Sequence, residues 1–397
     1  MKVYIITKAS FPYGLAASNR IKCLAKAFIL GGAECEVLVF GRNTTSQENV
    51  KAKGVYEGVP FEYIGGSTKR VKGNITGRLQ AFYLQVCLLL RLLGTLNAGD
   101  YICSYINKNN FFRRVLIALT HWKGAYFISE LCELPYGTGK ETPSAIKGRN
   151  YEYQHLFPRY DGIIAISDAL VKLAKQYCSP KCVVEKVPIL VDYEKYDLED
   201  HSKEAEYPYI FHSGTLFEQK DGILGMIEAF GKATKRLSIP LHFISTGQKE
   251  KSPHYDDIEK LIEKYQIQDR IHFVSYLSNE ELREALSKAS LVIINKYPTQ
   301  QNVYCFSTKL GEYMAAGKPI IITKVGEAMN WLSSGKDCLM VEPNNKEQLV
   351  ESIKYVFEHP EIAKDLGREA KLTCRNSFVY SAYSSVLNRM LDTIANK

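Results

Sequence analysis

The amino-acid sequence predicts an α/β protein with two doubly wound, Rossmann-like domains that face a central cleft. A chain of 397 residues is longer than one ordinary hydrophobic core requires, so two domains are expected. Short apolar runs alternate with amphipathic helical segments along almost the whole chain, which predicts parallel sheets covered by helices on both faces. A polar stretch at 191–208 interrupts this alternation once and is typical of a linker. Domains of this class bind ligands outside the carboxyl ends of their strands.

The first domain is predicted over residues 1–190. Its apolar runs predict strands at 3–7, 35–40, 101–106, 125–129 and 162–167. Its amphipathic segments predict helices at 18–31, 76–94, 110–121 and 167–177.

The second domain is predicted over residues 191–378. Its predicted strands are 209–214, 241–246, 271–276, 291–295, 319–323 and 338–342. Its predicted helices are 222–234, 279–288, 306–316 and 346–357.

A last helix, 379–395, follows after the alternation has ended. Its apolar face consists of Val386, Leu387, Met390, Leu391 and Ile394. Because this face needs burial, the helix is expected to cross back onto the first domain, which would then comprise 1–190 and 379–397.

Composition describes a soluble globular protein, with 46% apolar and 24% charged residues. The ten cysteines form no C-x-x-C pair, and several lie in apolar runs, so reduced thiols are expected. The first residues are typical of a strand and a loop and not of a secretory signal. Together with the reduced thiols, this predicts a cytosolic protein. A formal net charge of +8 fits anionic lipid or phosphorylated substrates and does not require nucleic acid.

The most apolar helical stretch is 79–94, which Arg91 interrupts and which is too short to span a bilayer comfortably. One interpretation is a core-facing helix, and the other is a helix on a membrane surface. With Lys69, Arg70 and the basic run "KGNITGR" before it, the stretch predicts weak, salt-sensitive attachment to anionic lipid at the inner face of the cell membrane.

Two loops at strand ends carry candidate site residues. Gly14 lies in a small-residue loop after the first strand, where a ligand can approach the backbone closely, although an ordinary connecting loop has the same composition. In "FHSGTLFEQKDG", Lys220 follows a buried strand and precedes a helix expected to begin near Asp221. An ammonium beside a helix N-terminus can stabilise a departing diphosphate, whereas a single loop lysine is more often only exposed.

Taken together in order, these segments resemble the retaining glycosyltransferases of family 4, which have the GT-B architecture. The similarity extends over nearly the whole chain, through "YDGIIAISDAL", "VPILVDYEKYD", "HSGTLFEQKDG", "YCFSTKLGEYMAAGKPIIIT" and "GKDCLMVEPNNKEQLVESI". It implies that the second domain binds a nucleotide diphosphate sugar and that the first binds the acceptor.

The resemblance also implies roles for individual residues. Glu312 stands where the family binds the ribose hydroxyls of the nucleotide, which a carboxylate suits because it offers two acceptor oxygens to a diol. The implied donor site consists of Gly214, Thr215, Lys220, Ser307, Thr308, Lys309 and Glu312.

Three positions depart from the family pattern. Tyr304 replaces a second glutamate, and Thr215 replaces an arginine beside the glycine of the diphosphate loop, so Lys309 would supply the missing positive charge. In the first domain, Glu130 and Glu133 stand where many members carry a histidine. Glu130, at a strand's carboxyl end, is a candidate catalytic residue, with a helix-capping or salt-bridged glutamate as the alternative. Gly14 and Glu133 are assigned to the acceptor side.

The expected activity is therefore retaining transfer of a sugar from a nucleotide diphosphate sugar to a saccharide or lipid-linked saccharide. By analogy, such proteins build bacterial cell-surface polysaccharides. The co-substrate is the nucleotide sugar, no metal or other cofactor is expected, and the base is left open among UDP, GDP and ADP. The alternatives are a nucleotide-sugar 2-epimerase of the same architecture and a non-catalytic subunit of a polysaccharide assembly complex.

Overall fold

The computed structural model describes residues 1–397 except 43–48, 72, 107, 138–140, 197–204 and 276. The chain forms two compact units, one of Met1–Val191 with Val379–Lys397 and one of Asp192–Phe378. The first division lies one residue from the predicted boundary at 190. Part of the predicted linker, 197–204, lies outside the described residues.

The first unit contains an eight-stranded sheet in the order β3-β4-β2-β1-β5-β6-β7-β8. Its strands are β1 Lys2–Thr7, β2 Glu34–Val39, β3 Lys53–Tyr56, β4 Val59–Tyr63, β5 Tyr101–Tyr105, β6 Tyr126–Leu131, β7 Gly162–Ala165 and β8 Val183–Lys186. Neighbouring strands pair in parallel except β3, which is antiparallel to β4. Glu57 and Gly58 connect that hairpin at φ of 48° and 80°, the positive values that a two-residue hairpin turn requires.

Helices surround this sheet. They are α1 Ala16–Leu30, α2 Asn74–Thr95, α3 Asn110–Trp122, α4 Pro143–His155 and α5 Asp168–Tyr177. The central strand β1 is buried from its second residue to its last, as expected of a strand covered on both faces.

The C-terminal helix α14, Ser384–Ala395, belongs to the first unit, as predicted. Leu387, Met390, Leu391 and Ile394 are buried in the core formed by β1, β2 and α1. The hydroxyl of Tyr101 in β5 donates to the carbonyl of Leu391 at 2.7 Å. The expectation from the unpaired apolar face of this helix is therefore confirmed, although its first turn is a separate 3-10 segment at Tyr380–Tyr383.

The second unit contains a six-stranded sheet, wholly parallel, in the order β11-β10-β9-β12-β13-β14. Its strands are β9 Tyr209–His212, β10 His242–Thr246, β11 Ile271–Val274, β12 Leu291–Ile294, β13 Ile320–Thr323 and β14 Leu339–Val341. Its helices are α6 Glu218–Asp221, α7 Ile223–Arg236, α8 Tyr255–Tyr265, α9 Asn279–Lys288, α10 Gln300–Tyr304, α11 Thr308–Ala315, α12 Lys346–Glu358 and α13 Pro360–Ser377.

The predicted fold class is confirmed, since each unit is a doubly wound sheet with Rossmann-like topology, parallel throughout except for the edge strand β3 of the first unit. The patterns in the sequence did not predict the hairpin β3–β4, the strand β8 or the helices α4, α6, α8, α10 and α13. All ten cysteines are free thiols. In the described part of the chain, none of the helices has the length and apolar character needed to cross a bilayer.

Candidate functional site

In the second unit, the strand order reverses between β9 and β12. The chain adds β10 and β11 on one side of β9 and then returns to place β12 on the other side. Two connecting segments therefore diverge at this point, one after His212 and one after Ile294. Ligands of doubly wound folds bind at such switch points, outside the carboxyl ends of the strands.

The segment after β9 is held from two directions. The backbone N–H of Ser213 donates to the hydroxyl of Tyr313 in α11 at 2.8 Å. The backbone N–H of Gly214 donates to Oγ1 of Thr246 at the end of β10 at 2.8 Å. These bonds fix the loop against both its neighbouring strand and α11.

A buried ion pair joins this loop to α11. Lys309 Nζ lies 2.5 Å from Asp221 Oδ1, with 20% and 2% of the two side chains exposed. The N–H and the hydroxyl of Thr215 both donate to the other oxygen, Asp221 Oδ2, at 3.0 Å each. Burial alone would raise the pKa of Asp221, but the charge of Lys309 and these hydrogen bonds hold that pKa well below its ordinary value. Asp221 is therefore a carboxylate that positions both Lys309 and Thr215.

Gly214 leaves space that any side chain would fill. A Cβ at this position would lie 2.3 Å from His212 Nε2 and 3.0 Å from both Asp221 Oδ2 and Lys309 Nζ. The absence of a side chain thus allows the loop backbone to lie directly against the ion pair.

His212 is buried beneath this loop as a neutral imidazole. Its Nδ1 lies 3.3 Å from the carbonyl oxygen of Ile293, while its Nε2 has no hydrogen-bond partner among the described residues. Burial and the charge of Lys309 lower its pKa to about 3. The imidazole therefore adds no charge beside the lysine at neutral pH.

A second lysine follows β12. Lys296 Nζ lies 3.3 Å from Asn302 Oδ1, and its backbone N–H donates to Thr323 Oγ1 at 2.7 Å. Burial and then repulsion by Lys309 lower the pKa of Lys296, with a smaller effect from Lys220. Lys309 therefore lies near enough to Lys296 for its positive charge to disfavour the protonated form of Lys296. A bound anion would weaken this repulsion between the two lysines.

The helix α11 contributes its first turn to the same region. Its N-cap residue, Ser307, makes no side-chain cap hydrogen bond, and Thr308 and Lys309 are its first two residues. Uncapped helix N-termini favour anions because their first backbone N–H groups lack intrahelical partners. Glu312 lies one turn further along α11 and is half-buried.

Among the predicted donor residues, the structure brings Gly214, Thr215 and Lys309 together. The expected position of Lys220 is wrong in one respect. Lys220 lies within the four-residue helix α6, not in a loop, because the chain turns early and then breaks at Gly222 with φ of 61°. Its side chain is exposed.

For Glu130, the salt-bridged alternative is the one the structure shows. Its Oε1 lies 3.0 Å from Arg20 Nε, and only 1% of each side chain is exposed. Arg20 also donates to the backbone carbonyls of Val187 and Pro188. Burial raises the pKa of Glu130 and the charge of Arg20 opposes the rise. The expectation that Glu130 faces a cleft as a catalytic group is corrected, since it links β6 to α1 inside the first unit.

The two acceptor-side residues lie in separate loops of the first unit. Gly14 precedes α1, and a Cβ there would lie 2.1 Å from Ser18 Oγ, which itself donates to the carbonyl of Ser10. This glycine is needed for close packing of its own loop. Glu133 follows β6 and is half-buried.

Sequence reasoning missed four residues of this site: Asp221, His212, Lys296 and Tyr313. His212 and Asp221 both lie within the quoted segment "FHSGTLFEQKDG", and Lys296 follows an apolar strand as Ser213 does. The position of Lys296, shortly after a predicted strand, could therefore have identified it as a candidate site residue. Within the described ranges, no group of three or more His, Cys, Asp or Glu side chains is arranged to hold a metal ion.

Comparison with known proteins supports the resemblance to glycosyltransferases. A family model described as "Glycosyl transferases group 1" matches residues 195–373, which is nearly the whole of the second unit. A trehalose synthase of Pyrococcus horikoshii is 24% identical over 214 residues, which are 53% of this chain and 48% of that protein. The aligned segment thus spans about half the length of that relative.

Solved structures share the fold over the full chain. Sucrose-phosphate synthase from Thermosynechococcus elongatus has a TM-score of 0.76 at 16% identity, covering 100% of this chain and 99% of that one. Anabaena HepE, solved with UDP and glucose, has a TM-score of 0.75 at 15% identity, covering 99% and 100%. At these identities the similarity establishes a shared fold, and the resemblance to glycosyltransferases of GT-B architecture is confirmed.

Proposed function

We propose that this protein is a retaining glycosyltransferase that moves a sugar from a nucleotide diphosphate sugar to an acceptor hydroxyl. The observation that carries the proposal is the cationic cluster at the switch point of the second sheet. Lys309 and Lys296 converge there beside a glycine loop and an uncapped helix N-terminus. Backbone N–H groups and lysines together are a common way to bind a diphosphate.

The charge balance of the cluster favours an anionic ligand. Asp221 forms its ion pair with Lys309, and His212 is uncharged at neutral pH, whereas Lys296 has no ion-pair partner among the described residues. Glu218, another carboxylate of this region, accepts from Tyr297 Oη at 2.5 Å and from the N–H of Leu224 at 2.7 Å. A diphosphate would supply the missing negative charge.

The nucleoside would lie along α11. The position of Glu312, one turn after Lys309, supports a role in accepting hydrogen bonds from ribose hydroxyls, the role that the sequence resemblance implies. UDP is the first nucleotide to test, because Anabaena HepE was solved with UDP and with UDP-glucose.

In the proposed mechanism, the protein stabilises the diphosphate as it leaves. Lys309 is pre-positioned by Asp221, so its ammonium needs little reorganisation when charge develops on the leaving oxygen. Lys220, exposed on α6, would add a third cation, besides Lys309 and Lys296, at this stage. Retention and independence from metal ions follow the family resemblance and are part of the proposal.

We assign acceptor recognition to the first unit, with Gly14 and Glu133 as candidate loop residues. The proposed acceptor is a saccharide or lipid-linked saccharide, and the proposed role is synthesis of a bacterial cell-surface polysaccharide. Each assignment rests on the family resemblance, and each stays a proposal.

Calorimetry with a charge-removing variant tests the donor site. Lys296→Met keeps the apolar length of the side chain and removes its charge. UDP should bind roughly tenfold to a hundredfold more weakly, since a charge-assisted hydrogen bond contributes about 1.5–3 kcal/mol. Uridine, which has no phosphate, should bind as it does to the parent.

The matched control is Lys260→Met, which removes an equally long and largely exposed cation from α8 of the same unit. It should bind UDP as the parent does. If Lys296→Met is folded and still binds UDP with parental affinity, the diphosphate does not lie at this cluster.

Product analysis separates the proposed activity from its rivals. A transferase incubated with donor alone should release nucleoside diphosphate slowly, and an acceptor should accelerate the release. A 2-epimerase would instead produce free epimerised sugar without an acceptor, and a non-catalytic subunit would release nothing. Unchanged turnover after treatment with a chelator is the expected result for metal independence.

A further inference from the structure

The helix α2 carries a broad apolar face that the first unit leaves uncovered. Only Leu84, Leu88 and Leu92 of this helix are buried. The large apolar residues that remain exposed include Ile75, Leu79, Phe82, Val86, Leu90 and Leu93. At 3.6 residues per turn these six lie within a stripe about 100° wide or less, on the side opposite the buried leucines.

The stripe is long and highly exposed. Ile75, Phe82 and Leu90 are 75%, 67% and 62% exposed, respectively. From residue 75 to residue 93 it extends about 27 Å along the helix. Soluble proteins rarely leave a contiguous apolar surface of this size without a binding partner.

The neighbouring helix α3 carries two exposed aromatic residues. Phe111 and Trp122 of α3 are exposed, and hydrogen bonds tie α3 to α2 at both ends. Asn109 Nδ2 donates to Gln85 Oε1 at 3.3 Å, and Lys123 Nζ donates to the carbonyl of Leu93 at 3.1 Å. Tryptophan near such a face is typical of surfaces that enter a lipid head-group region.

The same part of the chain holds the whole excess of positive charge. Between Tyr63 and Ser129 there are nine lysines and arginines and a single acidic residue, Asp100, a surplus equal to the net charge of +8 of the entire protein. Asp100 is buried and accepts from the backbone N–H groups of Lys2 and Asn97.

Several of these cations lie beside the apolar stripe. Arg78 is an exposed residue of α2 itself, and Lys69 and Arg70 are exposed just before the helix. Gln80 holds this preceding segment against α2, since it donates to the carbonyl of Lys69 and accepts from the N–H of Val71. The basic residues are thus fixed next to the first turns of the stripe.

We propose that the exposed face of α2, flanked by Lys69, Arg70 and Arg78, docks this protein onto the surface of a bilayer that contains anionic lipid. The apolar stripe enters the boundary between head groups and acyl chains, and the cations bind lipid phosphates. A second copy of the chain fits less well, because two-fold pairing of this face would bring two surfaces of like charge together. The proposal is independent of the donor site.

Vesicle flotation with matched variants tests the proposal. The parent should float with phosphatidylcholine vesicles that contain phosphatidylglycerol at low salt, and much less at high salt or with phosphatidylcholine alone. The triple variant Leu79→Gln, Phe82→Gln and Leu90→Gln should lose at least about tenfold in lipid partitioning and keep parental UDP binding. The matched control replaces exposed apolar residues of the second unit, Ile362→Gln and Leu372→Gln, and should float as the parent does.

A charge series gives an independent readout. Lys69→Glu, Arg70→Glu and Arg78→Glu together should lower binding to anionic vesicles by at least about tenfold and remove its salt dependence. The same charge change at Lys260, Lys336 and Lys364, exposed in the second unit, should have a much smaller effect.

Three results would overturn the proposal. One is parental protein that fails to bind anionic vesicles at low salt. Another is a glutamine triple variant that is folded and binds them as tightly as the parent. The third is a dimer in analytical ultracentrifugation that this variant dissociates, which would identify a second copy as the partner.

Discussion

Removing Lys309 should destabilise the second unit, because the lysine neutralises a carboxylate that water does not reach. In the parent, Lys309 Nζ lies 2.5 Å from Asp221 Oδ1, and the Asp221 side chain is 2% exposed. Loss of one partner from a buried ion pair costs about 3–5 kcal/mol. The two hydrogen bonds from Thr215 to Asp221 remain in Lys309→Ala, so we expect a loss near the lower limit, about 3 kcal/mol.

The measurement is thermal and urea unfolding of Lys309→Ala beside the parent. A loss of about 3 kcal/mol corresponds to a fall of about 6–12 °C in the Tm of a unit of this size. The double variant Lys309→Ala with Asp221→Asn removes the unpaired charge and keeps an acceptor for Thr215. It should recover most of the lost stability, because the cost comes from the stranded carboxylate and not from lost packing.

The dependence on pH provides a further check. The folded-state pKa of Asp221 lies below its ordinary value, so its ion pair stabilises the parent fully above the unfolded-state pKa of about 3.9 and progressively less as pH falls through the folded-state value. In Lys309→Ala, burial without a counter-charge should raise that pKa. The stability gap between parent and variant should therefore be largest at neutral pH and smaller in acid. A variant as stable as the parent at neutral pH, or an Asp221→Asn change that restores nothing, would refute this reasoning.

Three other substitutions have distinct expected outcomes. Glu312→Ala should leave the protein folded and weaken nucleotide binding in calorimetry by roughly tenfold to a hundredfold, as expected for lost charge-assisted bonds to a diol; parental affinity would mean that α11 is only structural. Lys220→Ala should reduce turnover more than binding of the intact donor, because its charge acts mainly as the diphosphate departs; equal losses would contradict that role. Glu130→Gln should lower stability by about 3 kcal/mol or more, since Arg20 stays buried without its counter-charge, while the folded fraction keeps its activity. A stable but inactive Glu130→Gln would restore the catalytic assignment.

Local patterns were enough to predict most elements of both sheets. The apolar run "VYIIT" became β1, and the amphipathic segment 279–288 became α9 with the same bounds. The helix α13 was missed although its buried positions, Ala363, Leu366, Ala370 and Cys374, follow helical spacing. The helix α4 was harder to predict, because it is mostly polar and buries few apolar residues.

The exposure of α2 shows where a local pattern is ambiguous. Nearly every position of 79–94 is apolar, so periodicity alone does not distinguish the buried side from the exposed side. The core-facing interpretation holds for one side of the helix only, and the membrane-surface interpretation stays a prediction. Leu84, Leu88 and Leu92 face the core, and the remaining apolar face is left outside.

The sequence by itself determined the fold class, the approximate domain boundaries and the return of α14 to the first unit, because each follows from short-range periodicity or from an apolar face that requires burial. It also placed candidate residues at strand ends.

The tertiary structure alone decided which of these residues are in contact. Asp221 and Lys309 are 88 residues apart, and Arg20 and Glu130 are 110 apart. Such pairings depend on the order of strands in the sheet, which brings β9 beside β12 and which the periodicity of a single segment does not encode. For the same reason the sequence identified Glu130 as a strand-end carboxylate, and only the tertiary structure, which brings Arg20 of α1 to it, made it half of a buried ion pair.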